Sequence, residues 1–268
     1  MALEVVGSSP ISRPLPLYPL PKMLEVVMQA SEKIFVALDV DSSSKAISLV
    51  TTLKGHVGVF KVGLELIYSE STLLIEKMKE AGADRIFFDA KLHDIPNTVA
   101  GAMRAITRLG IWYVTVHTSG GSAMLQAARD AAEIEADKYG VKRPLLMGVT
   151  TLTSISSHVM QRELQIDVPL EEHVVHLACM ARQNGCDGVI ASPHEIHALR
   201  EALPDPNFLI VTPGVRPAGS SVGDQARVLT PAEAVRAGAS GLVIGRPIVQ
   251  SANPLEAAEA VAMEIASA

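Results

Sequence analysis

Three charged residues at short spacing are the strongest chemical signal in the sequence: Asp89, Lys91 and Asp94. On a β-strand, side chains two residues apart point to the same side, so we expect Asp89 and Lys91 to project together, with Asp94 following in a loop. Lys61, on a neighbouring strand, would complete an alternating array of carboxylates and ammonium groups. Because desolvation offsets much of the attraction in a buried ion pair, we interpret this array as a preorganised catalytic site. The alternative interpretation is a cluster of ion pairs that has only a structural role.

Two segments rich in glycine and arginine form a second signal, which is typical of phosphate binding. The first covers residues 212–225 and the second covers 243–247. Glycine lets backbone amides approach an anion, and arginine offers a forked donor to phosphate oxygens, here from Arg216 and Arg246. The stretch from Arg216 to Gln225 also has the composition of a lid that closes over a phosphate. Two ordinary Gly/Pro turns with solvated arginines would give the same pattern.

The rest of the chain alternates between short β-branched or aromatic runs and longer helical patterns, which indicates βα units and a parallel sheet. We predict strands near Ile34–Asp39, Val57–Lys61, Arg85–Asp89, Tyr113–His117, Leu145–Thr150, Gly188–Ala191, Phe208–Val211 and Leu242–Ile244. We predict helices near Ser43–Leu53, Thr72–Ala81, Thr98–Leu109, Ala123–Lys138, Glu171–Asn184, Pro193–Ala202, Pro231–Ala237 and Pro254–Ala266. A doubly wound open sheet would usually carry a Gly-rich fingerprint after its first strand, and residues 39–43 do not form one. Eight βα units without that loop favour an α/β protein with a closed (β/α)8 TIM barrel.

A closed barrel places its catalytic residues at the carboxyl ends of the strands and its phosphate site after strands seven and eight. The polar residues of this sequence satisfy that requirement. The first four predicted strands end at Asp39, Lys61, Asp89 and His117, and Lys91 follows closely. The two arginine-containing segments follow the last two strands, so all of these side chains are expected at one mouth.

The overall composition limits the class of protein. The chain has 268 residues, a net charge of −6, 48% apolar residues and 19% charged residues, which describes a globular enzyme. The acidic balance argues against a nucleic-acid or anionic-membrane binder, which would need a basic patch. No apolar run reaches the roughly 18–20 residues that span a bilayer, and the start lacks a secretory signal pattern. The two cysteines, Cys179 and Cys186, are typical of core residues in a reducing compartment, so we expect a cytoplasmic protein.

The first 30 residues differ from the rest because five of the sixteen prolines fall there, namely Pro10, Pro14, Pro16, Pro19 and Pro21. Such a stretch forms neither a helix nor an interior strand. We therefore predict a proline-rich surface arm over residues 1–30 and a single barrel domain over 31–268. A proline-motif ligand for a partner and a true start at Met23 are the alternatives.

These motifs together resemble one known family, the orotidine 5′-phosphate decarboxylases in their bacterial form. The similarity runs from Ile34 to the C-terminus, and its most specific part is the Asp-Ala-Lys-x-x-Asp-Ile-Pro-Asn-Thr pattern over residues 89–98. The other matching segments are Ala37-Leu38-Asp39, Phe60-Lys61-Val62-Gly63, Leu152-Thr153-Ser154, Pro213-Gly214-Val215-Arg216-Pro217 and Ile244-Gly245-Arg246-Pro247. The resemblance implies a barrel homodimer that uses neither cofactor nor metal. It would remove CO2 from orotidine 5′-phosphate to give UMP, the last step of de novo pyrimidine nucleotide synthesis.

The resemblance also implies a role for each site residue. Lys91 would donate the proton to C6, and Asp89 would face the carboxylate that leaves. Lys61 and Asp39 would contact the ribose and orient the array. The residues implied elsewhere in the site are Asp94 and Thr98, which would reach into the partner subunit's site, Thr153 against the pyrimidine, and Gln225, Gly245, Arg246 and Arg216 around the phosphate.

Two other functions fit the same barrel. Sugar-phosphate decarboxylases or aldolases use Mg²⁺ and carry an acidic residue where this chain has Lys61, whose ammonium group would repel the metal. A non-catalytic nucleotide sensor would bind UMP without needing Lys91. The pattern His173-x-x-His176-x-x-Cys179 has the spacing of metal ligands on a helix, but that helix is expected to pack outside the barrel, far from the mouth.

Overall fold

The computed structural model of the chain describes residues 30–217 and 229–268. The proline-rich residues 1–29 and the segment 218–228, which contains Gln225 and most of the predicted lid, lie outside the described residues. The arm and lid predictions are therefore not tested by the fold. A short 3-10 turn over Ala30–Lys33 leads into the first strand.

Eight parallel strands close into a barrel, with each strand paired to its neighbour in sequence and the eighth paired to the first. The closed ring confirms the predicted (β/α)8 architecture. The third strand runs on beyond its predicted end at Asp89. The strands are β1 (Ile34–Ala37), β2 (Val59–Val62), β3 (Ile86–Leu92), β4 (Tyr113–His117), β5 (Leu145–Val149), β6 (Gly188–Ile190), β7 (Leu209–Pro213) and β8 (Gly241–Ile244).

The strands form from short apolar runs because both of their faces are buried. In β1, for example, Phe35 packs inside the barrel while Val36 packs with the outer layer of the core. Inside the barrel, the rings of Phe35, Phe87 and Tyr113 contact one another with centroids 5.2–6.3 Å apart. These three rings, which we call the aromatic floor, come from the amino-terminal halves of their strands. They fill that end of the interior and leave the carboxyl end as a mouth.

The helices alternate with the strands and cover the outside of the barrel. All eight predicted helices are present, although the one over Pro193–Ala202 begins as a 3-10 turn. Three short helices were not predicted, and they cover Leu64–Glu70, Ser157–Arg162 and Arg246–Val249. Within the described ranges, no helix has the length and apolar character needed to cross a membrane. The helices are α1 (Ser43–Leu53), α2 (Leu64–Glu70), α3 (Leu73–Ala81), α4 (Pro96–Arg108), α5 (Ser122–Tyr139), α6 (Ser157–Arg162), α7 (Leu170–Gln183), α8 (Ile196–Ala202), α9 (Pro231–Arg236), α10 (Arg246–Val249) and α11 (Pro254–Ala266).

Candidate active site

Four charged side chains form an alternating row across the barrel mouth. Asp39 follows β1, Lys61 lies on β2, and Asp89 and Lys91 lie on β3. Lys61 Nζ is 3.2 Å from Asp39 Oδ1 and 3.6 Å from Asp89 Oδ2. Lys91 Nζ donates a hydrogen bond to the same Asp89 Oδ2 at 2.7 Å. Each charge therefore has an opposite neighbour along three adjacent strands.

The row is buried at its centre and open at its ends. The side chains of Lys61 and Asp89 are 9% and 12% exposed, whereas those of Asp39 and Lys91 are 58% and 31% exposed. A centre held by buried ion pairs and hydrogen bonds is preorganised, and the open Lys91 can reach a bound molecule. This arrangement is the one that electrostatic catalysis requires.

Asp89 is held as a carboxylate by its surroundings. Burial raises its pKa, but the ammonium groups of Lys61 and Lys91 outweigh burial, and hydrogen bonds from Lys91 and Thr115 act in the same direction. The pKa of Asp89 consequently lies below its ordinary value of 3.8. The carboxylate is therefore negative throughout the neutral range, as a group that repels a bound anion must be.

Lys91 does not have the backbone conformation of a strand residue. Its φ is +46°, in the left-handed region that favours glycine. The pairing between β3 and β4 slips at this point, because Phe88 pairs with Val114 but Leu92 pairs with Val116. The two side chains of the Asp-x-Lys pattern still meet as predicted. They meet at a bulge in the strand rather than by regular strand alternation.

A cavity of about 320 Å³ opens directly above the row. The predicted residues Thr153, Arg216, Gly245 and Arg246 all line it, on the side contributed by strands β5, β7 and β8 and the loops that follow them. The charged row lies at one side of the cavity and the two arginines at another. Pro213, Gly214 and Val243 belong to the two segments predicted to bind phosphate. The remaining lining residues were not predicted as site residues: Ala37, Phe87, Val149, Thr151, Leu152, Ile190 and Ala191.

One hydroxyl group of this lining is available to a ligand. Thr151 Oγ1 is buried, and it makes no hydrogen bond to any residue in the described part of the chain. A buried hydroxyl without a partner costs free energy, so its partner is expected to come from a bound molecule or water. Thr151 directly follows the predicted strand over Leu145–Thr150, which is the only sequence signal that pointed to it.

A second cavity adjoins the first and shares Thr151, Leu152 and Thr153 with it. It has a volume of about 710 Å³ and extends towards Glu195. Burial raises the pKa of Glu195 to about 7, with a further contribution from Glu171, although a hydrogen bond from the Ser192 backbone amide opposes the rise. Because the two cavities share a wall, the second belongs to the same mouth.

Two predicted residues lie apart from the cavity lining within this single chain. Asp94 and Thr98 are exposed where α4 begins, and Asp94 Oδ1 accepts a hydrogen bond from the Ile95 backbone amide at 2.7 Å. The fourth charge of the row is therefore Asp39 rather than Asp94. The predicted role of Asp94 and Thr98 in a partner's site, like the predicted role of Gln225, stays a prediction.

Histidines near the mouth take part in packing. The rings of His93 and His117 stack with their centroids 5.2 Å apart, and they lie near the charged groups of Lys91 and Asp89. Burial lowers the pKa of His117, and the nearby His93 and Lys91 lower it further. Within residues 30–217 and 229–268, no group of three or more histidine, cysteine, aspartate or glutamate side chains is placed to hold a metal ion.

Comparison with known proteins agrees with this geometry. The sequence profile described as the orotidine 5′-phosphate decarboxylase / HUMPS family matches residues 32–261. The chain is 51% identical over 238 residues to the orotidine 5′-phosphate decarboxylase of Moorella thermoacetica, covering 89% of this chain and 94% of that protein. It is 47% identical over 232 residues to the one from Syntrophomonas wolfei, covering 86% and 96%.

A solved structure gives the same result at the level of the fold. The orotidine 5′-phosphate decarboxylase of Lactobacillus acidophilus superposes with a TM-score of 0.76 at 41% sequence identity, covering 87% of this chain and 98% of that chain. Sequence, fold and the charged row at the mouth therefore agree, and the chain belongs to the orotidine 5′-phosphate decarboxylase / HUMPS family.

Proposed function

We propose that the chain converts orotidine 5′-phosphate into UMP and CO2, without a metal or cofactor. The observation that carries this proposal is the Asp39–Lys61–Asp89–Lys91 row beside a cavity that is also lined by Arg216 and Arg246, from the segments after β7 and β8. A substrate with a carboxylate near one end and a phosphate at the other matches this distribution of charge. The de novo pathway of pyrimidine nucleotide synthesis would use the reaction as its last step.

Lys91 carries the main chemical role in the proposed mechanism. Loss of CO2 from C6 leaves an electron pair in an sp² orbital, with no carbonyl or imine group to accept it. The ammonium group of Lys91 stabilises that charge as it develops and then delivers the proton to C6. The partial exposure of Lys91 supports this role, because its ammonium group can turn from Asp89 towards a bound ring.

Asp89 acts on the group that leaves. Its carboxylate, kept ionised by Lys61 and Lys91, would face the carboxylate of the substrate. At about 4 Å and an effective dielectric constant of ~20, the repulsion between two such charges is worth about 4 kcal/mol. Relieved as CO2 departs, that energy corresponds to about three powers of ten in rate.

The other end of the cavity would hold the substrate in place. Arg216 and Arg246 provide forked donors for phosphate oxygens, and Gln225 would join them from the lid. Gly245, which directly precedes Arg246, would join these phosphate contacts. Thr153 would contact the pyrimidine, while Asp39 and Lys61 would contact the ribose. Binding energy from the phosphate can then be used at the reacting carbon.

We further infer that the active form is a homodimer in which Asp94 and Thr98 complete the partner's site. The exposure of both residues supports this, and so does Ile95 between them, which is 67% exposed although it is large and apolar. A partner subunit that packs against the start of α4 would cover this side chain together with its two polar neighbours. The two free cysteines, Cys179 and Cys186, fit the proposed cytoplasmic location.

The proposed activity is tested by following the ultraviolet absorbance of orotidine 5′-phosphate with purified protein in the presence of a chelator. We expect complete conversion to UMP. Orotidine without its phosphate is the matched control substrate, and it should react far more slowly because the arginines have nothing to bind. An unchanged absorbance with the phosphorylated substrate would overturn the assignment.

The rival function, a Mg²⁺-dependent sugar-phosphate decarboxylase or aldolase, makes the opposite prediction. It would lose its activity on addition of the chelator and regain it with Mg²⁺. Lys61 argues against it, since its ammonium group lies between two carboxylates that could otherwise serve as metal ligands. The same assay, with and without chelator, therefore separates the two functions.

A further inference from the structure

Thr115 makes two hydrogen bonds that join the catalytic strand to its neighbour. It lies in the middle of β4, and it is fully buried. Its Oγ1 accepts a hydrogen bond from the backbone amide of Lys91 at 2.8 Å. The same oxygen donates a hydrogen bond to Asp89 Oδ1 at 2.9 Å. One hydroxyl group thus contacts both residues of the Asp-x-Lys pattern.

The first of these bonds replaces a bond of the sheet. The pairing of β3 with β4 slips between Phe88 and Leu92, and Lys91 takes a left-handed backbone conformation within the slip. Such a conformation is disfavoured for any residue with a Cβ atom, so the surroundings must hold it in place. The Thr115 hydroxyl does so by accepting the Lys91 amide hydrogen, which has lost its regular strand partner.

The second bond decides which oxygen of Asp89 serves which partner. Oδ1 accepts the Thr115 hydroxyl, so Oδ2 is left for Lys91 at 2.7 Å and Lys61 at 3.6 Å. With one oxygen fixed, the plane of the carboxylate is fixed as well. The carboxylate and the Lys91 ammonium group are then aligned through a single oxygen atom on a neighbouring strand.

We propose that Thr115 is a positioning residue for the decarboxylation: through its hydroxyl group it sets the placement of the Lys91 ammonium group relative to the Asp89 carboxylate. The inference rests on the proposed function. A packing role is the alternative, since a β-branched residue suits a buried strand whatever its polarity. Valine, which has nearly the same shape as threonine, keeps the packing and removes the hydroxyl, so it separates the two roles.

The test compares Thr115→Val and Thr115→Ser with a matched control, Thr107→Val. Thr107 is also fully buried, and its hydroxyl donates to Met103 O at 2.8 Å within α4, away from the mouth. For Thr115→Val we expect kcat to fall about 10- to 100-fold, as is usual when a hydrogen bond to a charged group is lost. KM and the affinity for UMP should change less than threefold or so, because the phosphate contacts are untouched. Serine keeps the hydroxyl and should restore most of kcat.

The pH profile of kcat gives a readout that packing alone would not move. The Thr115 hydroxyl is one of the groups that lower the pKa of Asp89, with Lys61 and Lys91 as the charged neighbours and burial opposing them. Without that hydroxyl the pKa of Asp89 rises. The acid limb of the profile should therefore shift to higher pH in Thr115→Val and stay in place in Thr115→Ser and Thr107→Val.

Two results would overturn the inference: equal loss of kcat in Thr115→Val and Thr107→Val, or an acid limb of Thr115→Val that matches the wild type. If Thr115→Val does not fold, Thr115→Cys takes its place. Its thiol is a weaker donor, so kcat and the acid limb should fall between those of serine and valine predicted above. Failure of the proposed function is distinct, because the unmodified chain would then show no turnover of orotidine 5′-phosphate at all.

Discussion

The side chains of the charged row differ in how firmly they are held. Lys61 is nearly buried and lies between two carboxylates, so its position is set by the fold. Among the residues that the structure describes, Lys91 pairs with one carboxylate, and its side chain is open to the cavity. The proposed mechanism requires one fixed cation and one that can move, because the site would both polarise a substrate and give up a proton. The row provides them on adjacent strands.

Removal of the Lys91 ammonium group should abolish the reaction while leaving binding intact. In Lys91→Ala we expect kcat to fall by at least about 10⁴-fold, since both charge stabilisation and the proton donor are lost. The affinity for UMP, measured by calorimetry, should stay close to that of the wild type. Lys45→Ala is the control, because Lys45 forms an exposed ion pair with Asp41 on α1. Turnover near the wild-type rate in Lys91→Ala would contradict the mechanism.

At the scale of residues, the sequence predicted the contact between Asp89 and Lys91 but not its geometry. Alternation along a strand brings residues two apart together, and this general rule gave the correct pairing. The left-handed backbone at Lys91 depends on the slip against β4, which involves residues far away in the chain. Thr115 was missed for the same reason. Its only signal is a polar residue at an inward position of β4, two residues after the inward-facing Tyr113.

At the scale of elements, a buried ionic cluster joins β5, β6 and α5 at the amino end of the barrel. Asp187 is fully buried just before β6. It accepts two hydrogen bonds from Arg143, at 2.7 and 2.8 Å, one from Arg129 at 3.3 Å and one from the Leu146 backbone amide at 2.7 Å. Every acceptor position of the carboxylate is used, so the cluster fixes how these elements meet.

Substitution of the central carboxylate should destabilise the barrel without affecting its chemistry. In Asp187→Asn, two arginines lose the buried carboxylate that they share and keep only the more exposed Glu133 as a counter-charge, so the free energy of unfolding should fall by about 3–5 kcal/mol. The exposed pair of Asp41 with Lys45 provides the control, and Asp41→Asn should leave the free energy of unfolding almost unchanged, because water screens this pair. Urea unfolding measures both. KM should not change at a temperature where the variant is folded. A large rise in KM would contradict the expectation that this cluster stabilises the barrel without taking part in the reaction.

Glu195, at the second cavity, makes the free energy of unfolding of the protein depend on pH. Its pKa is about 7 in the folded chain and near the ordinary value of 4.5 in the unfolded one. A raised pKa in the folded state contributes stability that is fully present below pH 4.5 and is lost as the pH rises through 7. Glu195→Gln removes this loss and still accepts the Ser192 amide hydrogen bond.

We therefore expect Glu195→Gln to raise the free energy of unfolding at pH 8 by about 1–3 kcal/mol and to have little effect at pH 5. Thermal unfolding at the two pH values gives the comparison. Glu233→Gln is a suitable control. Glu233 occupies the equivalent capping position of α9, but its pKa is lowered by hydrogen bonds from the backbone and side chain of Thr230. A stabilisation that is equal at both pH values would contradict the prediction for Glu195.

Among the described residues, the sequence predicted every long helix but only two of the five short ones, α8 and α9. The helices of nine or more residues, from α1 to α11, were all predicted from their apolar spacing. The three missed helices contain four to seven residues, and α2 begins directly after Gly63 at the end of β2. Such short helices depend on the surrounding tertiary structure rather than on a periodic pattern of their own.

At the scale of the whole molecule, the closed barrel could be predicted from the number of βα units together with the residues that follow the first strand. Eight units without a dinucleotide loop leave few other topologies. The net charge of −6 gave no indication of a site for an anion. The lining of the mouth cavity carries a net positive charge, because Lys61, Lys91, Arg216 and Arg246 outnumber the two carboxylates, Asp39 and Asp89. The charge around the cavity is therefore opposite in sign to the net charge of the whole protein.

The proposed sharing of sites between subunits can be tested by mixing two inactive variants. Lys91→Ala and Asp94→Ala subunits, unfolded together and refolded at equal ratio, would form heterodimers with one intact site. Half of the dimers would be mixed and half of their sites intact, so activity should recover to about a quarter of the wild-type value.

The matched control pairs Lys91→Ala with Asp89→Ala. Both of these residues belong to the site of their own subunit, so no heterodimer of this pair would contain a complete site. Recovery in the first mixture and none in the second is the expected result. Failure of the first mixture to recover would count against the shared site.

The aromatic floor formed by Phe35, Phe87 and Tyr113 has a consequence for how this protein can change over time. It separates the amino end, where the Asp187 cluster lies, from the mouth, where the charged row lies. Mutations on the two sides should therefore act on different properties. Those below the floor can alter thermal tolerance while the reaction stays the same, and those in the loops above it can alter the reaction while the barrel stays folded. Selection for a new growth temperature and selection for a new substrate would then act on separate sets of residues within one chain.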